Sequence, residues 1–456
     1  TLPSGATGTA RYALGWSGGF TRIRRQFNVP VAEMEGVQEP LARMASLAYI
    51  TQATVYQTAN LIDHGEKPAV PSAILKSQLT EFQRVLLSDA MDVHGGKAVT
   101  LGPRNYLGIG YSANPVAITV EGANIMTRNL MIFGQGAIRC HPFIVEEIEA
   151  ANMDDPDQAA KKFDGVFYRH LAHTTRNAMR AFLHGLTKGW LETAPRQGDI
   201  QKYYRQLGRF SAAFAVMTDV TLLSVGGGLK ARQRLSGRMA DCLVHLYYAT
   251  AVIKQWHEEG YPEDQRDLVE WCLETCLRDL QIAMREAIIN YPVPALRWPL
   301  RLLVFPLGAT GLNGPSDKLG ARVAATIVDD TQVRQRISRG TFINPDPHDP
   351  LGRVLNAYKL ANETADVRKR LHDAIRNRDE DELGGIDLLM GHQRKELVDW
   401  ACAQGIVKAD ECPKLEEALT ALYDVIRVDA FDADGLKELS DCARGKRRVV
   451  ERSNSE

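Results

Sequence analysis

The sequence predicts an all-α fold, and two observations support this prediction. Apolar residues recur at helical spacing in long stretches, as in the segment 39–65, where they fall at Leu41, Met44, Leu47, Ala48, Val55, Ala59 and Ile62. No set of segments alternates apolar and polar residues as the strands of a sheet would. Pro40 near the start of that stretch and Gly65 after its end are typical of helix boundaries.

The remaining helical segments suggest how the chain is divided. Helices are expected from about Pro71 to Gly95 and, as one or two elements, over 124–151. An acidic stretch containing Pro156 resembles a linker. We therefore expect a helical domain, a helical extension, a small helical block and a disordered charged tail, at 1–150, 160–340, 347–445 and 446–456, respectively.

A weak internal repeat relates two parts of this helical region. The tripeptide Arg-Met-Ala occurs at 43–45 and again at 238–240, and the same distance then leads to Gly65 and Gly260. We interpret the repeat as a degenerate duplication of a helical hairpin, with chance similarity between two amphipathic helices as the alternative. The second copy has no counterpart of the segment "VEGAN" (120–124), so any catalysis by the first copy is not expected in the second.

Composition narrows the class of protein. The net charge of −1 over 456 residues gives no sign of a nucleic-acid-binding surface. The seven cysteines are scattered, and Cys272 and Cys276, one helical turn apart, are expected to be core thiols of a protein in a reducing cytoplasm. No signal peptide or long uncharged apolar run is readable, so no membrane span is expected. The chain begins with Thr and enters a helix at once, which suggests an N-terminally truncated fragment.

Three motifs in the first domain belong together. They are "RIRRQF", with Arg24 and Phe27; "DAMDVHGG", ending in Gly95 and Gly96; and "AITVEGAN", which ends at Asn124. In this order, with a long helical hairpin between the first two, they resemble the C-terminal helical domain of the acyl-coenzyme A dehydrogenases. The bacterial long-chain branch of that family, which carries a large C-terminal extension, is the most similar. The resemblance is close over about 1–150 and weaker beyond it.

The resemblance implies FAD-dependent oxidation of a long-chain acyl-CoA to trans-2-enoyl-CoA in fatty-acid β-oxidation. By the resemblance Glu121 is the base that takes the α-proton, and the backbone N–H of Glu121 binds the thioester carbonyl. A glutamate flanked by apolar residues suits this chemistry, because the base must be ionised yet lightly solvated. Gly122 would let the thioester approach the backbone closely, since glycine has no Cβ.

The same resemblance assigns the cofactor and the partners. The residues expected to contact FAD across a dimer interface are Arg24, Phe27, Gly95, Gly96, Ala123 and Asn124. An electron-transfer flavoprotein would accept the electrons, and no metal is expected. The alternative is that the chain, which lacks the family's flavin-enclosing domains, is a non-catalytic helical dimerisation or scaffold fragment.

Other patterns are weaker. Ser17 lies in "GWSGG", a match to the nucleophile elbow of hydrolases, but the helical context argues against it. "SVGGGLKAR" (224–232) is expected to be a turn between helices, and "CHP" (140–142) to be structural. The apolar segment 294–314, with Trp298, is either a Pro-broken core or interdomain segment, which we favour, or a peripheral membrane contact. The expected location is cytoplasmic, with contact at the inner membrane as the variant that this segment would add.

Overall fold

The computed structural model describes residues 1–443 except 28, 101, 103, 197, 343, 345–348 and 377–393. The all-α prediction is confirmed. Apart from a hairpin of two-residue strands, β1 (Arg25–Gln26) and β2 (Val29–Pro30), the regular structure of these residues is helical. The predicted disordered tail, 446–456, lies outside the described residues.

The helices follow one another closely along the chain. Those before residue 340 are α1 (Leu2–Ile23), α2 (Glu35–Asp63), α3 (Ala69–His94), α4 (Gly96–Val99), α5 (Gly108–Thr119), α6 (Asn124–Met126), α7 (Gly136–Cys140), α8 (Ile144–Ala151), α9 (Pro156–Leu186), α10 (Gln201–Val225), α11 (Gln233–Glu258), α12 (Arg266–Ile289), α13 (Pro294–Val304), α14 (Asp317–Val328) and α15 (Gln332–Ile337). Short 3-10 turns cover Val31–Glu33, Gly226–Lys230 and Glu263–Gln265, and a π-helical segment, Thr127–Gln135, joins α6 to α7. After residue 349 come α16 (Pro350–Glu363), α17 (Ala365–Arg376), α18 (Arg394–Ala403), α19 (Cys412–Ile426) and α20 (Ala433–Ala443).

The chain forms two compact units. The first contains Thr1–Val93 and Gly110–Ile343, and the second contains His94–Ile109 and Asn344–Glu456. The predicted first domain and extension thus lie largely within one unit, and the short segment 94–109 belongs with the C-terminal block.

The core of the first unit is built by long helices packed on one another. Helix α2 packs on α1, α11 and α14, and α11 packs along α12. These helices bury apolar faces, and Met44, Met239 and Leu273 are fully inaccessible to solvent. Tyr49 is buried among them and its hydroxyl donates to Gln265 Oε1 over 3.1 Å. Cys272 and Cys276 are buried thiols as predicted, and burial raises the pKa of Cys272 to about 12.

The predicted linker is wrong from residue 156 onward. Pro156 is the first residue of the 31-residue helix α9, and the Asp155 carboxylate caps it by accepting from the backbone N–H of Asp157 and Gln158. Proline at the first helical position costs no hydrogen bond, because the N–H that it lacks would have no partner there. The same residues that suggested a break are therefore those that start a helix.

The two hairpins of the repeat have matching features. Both Gly65 and Gly260 follow a helix with positive φ, +84° and +81° respectively. Arg43 of α2 pairs with Asp89 of α3 at 2.8 Å, and Arg238 of α11 reaches Glu286 of α12 at 3.7 Å. A shared cross-hairpin ion pair supports the interpretation as a duplication.

Helix α10 is more apolar than the sequence interpretation allowed. The segment Gln201–Lys230 contains an 18-residue window with a mean hydropathy of 1.5, so by length and composition alone it could cross a membrane. A core helix passes the same test. Here α10 packs on α9 and α11, and it carries Asp219, whose carboxylate accepts hydrogen bonds from His141 and Thr174. We interpret α10 as a core helix on these contacts.

The second unit has a small core of its own. Helix α19 packs against α16 and α18, and Leu371, Val398 and Leu415 are buried in one cluster. Cys402 and Cys412 form a disulfide beside this cluster. The disulfide was not expected from scattered cysteines interpreted as reduced thiols, since a lone pair ten residues apart gives no pairing signal.

Candidate functional site

The segment after α5 has an unusual backbone. Glu121 has φ of +56° and Gly122 has φ of +92°, so two consecutive residues lie in the left-handed region. For glutamate this conformation costs about 1–2 kcal/mol, which the surrounding structure has to offset. Among the described residues, nothing accepts a hydrogen bond from the backbone N–H of Glu121. That N–H is therefore available to an external acceptor.

Side chains of α3 hold this segment in place. Lys76 Nζ donates to the Gly122 carbonyl oxygen at 2.6 Å and to Asn124 Oδ1 at 2.8 Å. The Asn124 amide in turn donates to Thr80 Oγ1 and to Glu81 Oε1, each at 2.9 Å. Residues 76, 80 and 81 lie on neighbouring turns of one helix, so α3 fixes the loop along its length. We call residues 120–124 the base loop.

The surface around the base loop is apolar and open. Glu121, Gly122 and Ala123 are exposed, whereas Asn124 is buried. Large apolar side chains nearby in sequence are also exposed: Tyr111, Val116, Val120, Ile125 and Met126. The apolar flank expected for Glu121 is therefore present, but the described residues do not enclose it. Further atoms have to cover this surface before Glu121 is desolvated.

Arg24 and Phe27 come together at the β1–β2 hairpin. Arg24 ends α1, and its carbonyl accepts from the Val31 backbone N–H at 2.8 Å, which closes the hairpin. Phe27 stands at the tip with φ of +51° and is 91% exposed. Among the described residues, no carboxylate lies within ion-pair distance of the half-buried Arg24. A half-buried cation with no ion-pair partner among the described residues, followed three residues later by an exposed ring, suits a ligand that is anionic and aromatic.

Gly95 and Gly96 lie in the second unit, at the start of α4. Gly95 has φ of +58° and ψ of −137°, a conformation that only glycine adopts readily. A Cβ added to Gly96 would meet no atom within 4 Å, and Gly96 has no positive φ. The described residues leave the space beside Gly96 open, so another molecule could approach its backbone closely there.

The structure thus groups the predicted residues into three places. Residues 121–124 lie in the base loop, Arg24 lies at the base of the β1–β2 hairpin with Phe27 at its tip, and Gly95 and Gly96 begin α4. The side chain of Asn124 faces α3, which leaves Ala123 and Gly122 as the exposed neighbours of Glu121. The roles assigned to these residues remain predictions.

Sequence reasoning missed Lys76, Thr80 and Glu81. A signal was available, because Lys76 lies among Ile74, Leu75 and Leu79, which are all buried. A lysine on the apolar face of a predicted helix has to find acceptors inside the protein. The sequence does not show which acceptors those are, since the base loop lies more than forty residues further along the chain.

Ser17 and the Gly-rich segment have structural roles. Ser17 is fully buried within α1, which confirms that it is no exposed nucleophile. The Gly-rich stretch is the turn between α10 and α11, as expected.

A second polar cluster joins His141, His170 and Asp219, whose ligand atoms lie within 4.8 Å of one another. His141 Nδ1 accepts from the backbone N–H of Phe143 and Ile144, so Nε2 carries the hydrogen that is donated to Asp219 over 2.7 Å. This hydrogen occupies the position that a metal ion would need, and we interpret the cluster as a structural link between helices.

Comparison with known proteins places the chain. Residues 2–132 match the family model described as "Acyl-CoA dehydrogenase, C-terminal domain", and residues 138–431 match "Acyl-CoA dehydrogenase, C-terminal, bacterial type". Over 265 residues, 56% of the chain and 38% of the relative, it is 26% identical to the mitochondrial very long-chain specific acyl-CoA dehydrogenase of Mus musculus. Over 103 residues, 21% of the chain and 27% of the relative, it is 31% identical to the 3-(aryl)acrylate reductase of Clostridium sporogenes.

A solved structure agrees on the fold. The acyl-CoA dehydrogenase of Bacillus anthracis, crystallised with FAD, superposes with a TM-score of 0.56 at 14% identity, over 72% of this chain and 54% of that one. The chain therefore spans about half the length of that protein, and less than half the length of the two relatives above. With family models covering most of its length, the chain belongs to the acyl-CoA dehydrogenase family and corresponds to that family's C-terminal helical region.

Proposed function

We propose that this chain supplies the catalytic base for the FAD-dependent oxidation of a long-chain acyl-CoA to trans-2-enoyl-CoA. The main support is the base loop, in a chain that family models cover from residue 2 to 431. Glu121 and Gly122 are exposed, Glu121 adopts a backbone conformation that is costly for a residue with a side chain, and Lys76 of α3 holds the Gly122 carbonyl. A costly backbone conformation that side-chain hydrogen bonds hold in place is typical of a functional site.

Glu121 takes the α-proton of the substrate. The apolar neighbours Val120, Ile125 and Met126 would exclude water from the reacting atoms once this surface is covered. The free backbone N–H of Glu121 donates to the thioester carbonyl. This hydrogen bond stabilises the enolate-like charge that develops as the α-proton leaves.

The residues expected to hold FAD suit that cofactor. Arg24 offers a planar guanidinium for a diphosphate, Phe27 offers an exposed ring, and Gly96 leaves space where a Cβ would stand. When bound, FAD supplies the acceptor for the hydride that leaves the β-carbon. The chain's own part is to orient and cover the cofactor through residues of the hairpin tip, the start of α4 and Ala123.

Substrate length, pathway and partners extend the same proposal. Similarity over 265 residues to a very long-chain specific enzyme supports a long acyl chain and a role in fatty-acid β-oxidation. We further propose a homodimer in which the exposed hairpin tip meets the partner's cofactor, and an electron-transfer flavoprotein as electron acceptor. The proposed location is the cytoplasm.

The deciding experiment is anaerobic reduction of bound flavin by palmitoyl-CoA in the intact gene product and its Glu121→Gln variant. We expect bleaching in the parent and none in the variant, which keeps the shape of the side chain but is not a base. Equal bleaching in both proteins would remove Glu121 from the role of base. Absence of bound flavin in the intact product would favour the alternative of a helical dimerisation or scaffold module.

Membrane contact through 294–314 is a second candidate feature. Leu300, Val304 and Phe305 are buried, whereas Trp298 is 73% exposed and Leu302 and Leu307 are also exposed. The Arg301 guanidinium lies 5.1 Å from the Trp298 ring centroid, so cation and aromatic surface occur together. The segment is thus part core, as favoured from the sequence, and part exposed amphipathic surface that suits an anionic lipid interface.

Co-sedimentation with vesicles of phosphatidylethanolamine and phosphatidylglycerol tests this feature. The variant is Trp298→Ala with Leu302→Ala; Phe305 is left unchanged because it is buried, and its loss would disturb the core. Lipid-dependent pelleting of the parent and its loss in the variant are expected. No pelleting of the parent, or equal pelleting of both, would contradict a membrane contact at this segment.

A further inference from the structure

The base loop lacks internal support for its conformation. Backbone hydrogen bonds anchor only its flanks, from the Val120 N–H to Val116 and from the Thr127 N–H to Ala123, and none among the described residues involves the backbone of Glu121 or Gly122. Among the described residues, the Glu121 side chain makes no hydrogen bond of its own. The left-handed conformation of Glu121 and Gly122 is therefore held from outside the loop.

Lys76 provides that support. Lys76 is 7% exposed, and its ammonium group donates hydrogen bonds to the Gly122 carbonyl and to Asn124 Oδ1. A hydrogen bond to the Gly122 carbonyl fixes the orientation of the peptide that follows the base. Since a charged donor strengthens a hydrogen bond to a neutral acceptor, this contact is stronger than one from a neutral side chain.

Asn124 extends the contact along α3. The Thr80 hydroxyl donates to the Lys76 carbonyl at 2.8 Å, so its lone pair is free to accept from the Asn124 amide. The Asn124 amide also donates to Glu81, and its oxygen therefore faces Lys76. Every hydrogen-bonding atom of the Asn124 side chain is used, which leaves one arrangement of the loop.

Carboxylates of both the base loop and α3 act on the charge of Lys76. Burial lowers the pKa of Lys76, while the negative charges of Glu121 and Glu81 oppose that shift. Lys76 is thus a buried residue whose charge is favoured by the carboxylates of Glu121 and Glu81.

We propose that Lys76 is a positioning residue for the dehydrogenation, which holds the base loop on α3 so that Glu121 faces the α-carbon of the substrate. The inference rests on the proposed function, since the loop that Lys76 holds is the one carrying the proposed base. Lys76 touches neither substrate nor cofactor in this role. Its effect is on the rate of proton abstraction and not on flavin binding.

The test measures anaerobic flavin reduction at saturating palmitoyl-CoA in the intact gene product. The variants are Lys76→Met, which keeps the length without the charge, and Lys76→Ala, to which propylammonium is added. Lys67→Met is the matched control, because Lys67 is exposed nine residues earlier in the chain. Glu121→Gln and a substrate deuterated at the α-carbon are run beside them.

A rate loss of about 100-fold in Lys76→Met is expected, as for a displaced catalytic group. Flavin content and KM should stay within about threefold of the parent, and the α-deuterium isotope effect should rise because proton abstraction has become slower. Propylammonium should restore at least about tenfold of the rate to Lys76→Ala, and Lys67→Met should match the parent.

Other outcomes separate the two proposals. A parental rate in Lys76→Met, with Glu121→Gln inactive, would overturn the positioning role and leave the proposed function intact. A loss of flavin or of folding in both Lys76 variants, without rescue by the amine, would show a merely structural role and also overturn it. If the parent flavin is not reduced, the proposed function fails, and the positioning role fails with it.

Discussion

Arg43→Met tests the ion pair that ties the first hairpin together. Arg43 Nε and Nη2 donate to the two oxygens of Asp89 at 2.9 and 2.8 Å, which is a bidentate pair. The Asp89 side chain is only 8% exposed, whereas that of Arg43 is 38% exposed. Methionine keeps most of the apolar stem of Arg43 but leaves the Asp89 carboxylate buried without its cation.

The expected loss of stability follows from this difference in burial. Breaking a fully buried pair by removal of one partner costs about 3–5 kcal/mol, and an exposed pair is worth about 0–1 kcal/mol. Since Asp89 is buried and Arg43 is partly solvated, we expect the free energy of unfolding to fall by about 2–3 kcal/mol.

The repeat provides a matched control. Arg238 occupies the equivalent position in the second hairpin, but its partner Glu286 is 3.7 Å away and half exposed. Arg238→Met should therefore cost less than about 1 kcal/mol. Urea unfolding followed by far-UV circular dichroism compares the two variants with the parent. Equal midpoints for both variants would refute the reasoning that burial of the carboxylate decides the cost.

Three further predictions concern titration and glycine packing. Burial opposes ionisation of Asp219, but hydrogen bonds from His141 and Thr174 outweigh it and hold the pKa of Asp219 below its usual value. The stabilising effect of the Asp219 carboxylate should therefore be complete above about pH 4 and fade as the pH falls further. The stability difference between the parent and Asp219→Asn should narrow in acid, and a constant difference would contradict this. Burial lowers the pKa of Lys97 to about 8. Between about pH 8 and 10.5 Lys97 is then protonated in the unfolded state but not in the folded state, so the free energy of unfolding should rise with pH by about 1–3 kcal/mol. Urea unfolding at several pH values should show this rise in the parent and not in Lys97→Met. Gly96→Ala should lower the flavin content and leave the melting temperature unchanged, because its Cβ would meet no atom of the described residues within 4 Å. Gly185→Ala should lower the free energy of unfolding by about 1–3 kcal/mol, because its Cβ would lie 2.7 Å from Pro306 Cδ. Flavin content preserved in Gly96→Ala would contradict a cofactor contact there.

The sequence predicted those features that depend on local spacing. Helical periodicity identified α2 and α3 to within a few residues, and the repeat of Gly65 and Gly260 indicated two similar hairpins. Pro156 was misread because proline both breaks a helix and begins one, and the choice depends on the cap that Asp155 supplies. Composition suggested scattered thiols, but pairing of Cys402 with Cys412 depends on the turn between α18 and α19.

The candidate site was predictable in its residue types and not in its support. Motif resemblance selected Glu121, Arg24 and Gly96. In the structure Glu121 lies in a loop with a left-handed backbone, Arg24 lies at a hairpin, and the space beside Gly96 is open. Lys76 escaped notice because its acceptors come from a backbone carbonyl and an asparagine far along the chain. Long-range partners of a single buried polar group leave no periodic signal in a sequence.

The left-handed backbone of Glu121 has a consequence for which substitutions would stabilise this chain. Glycine would adopt that conformation without strain, so Glu121→Gly gains up to about 1 kcal/mol at the loop while the carboxylate is lost. Selection for thermostability alone would therefore favour discarding the carboxylate. Under the proposed role of Glu121, stability and turnover are in opposition at this residue, and stabilising substitutions in α2 or α11, outside the base loop and its support on α3, are the ones that would leave activity untouched.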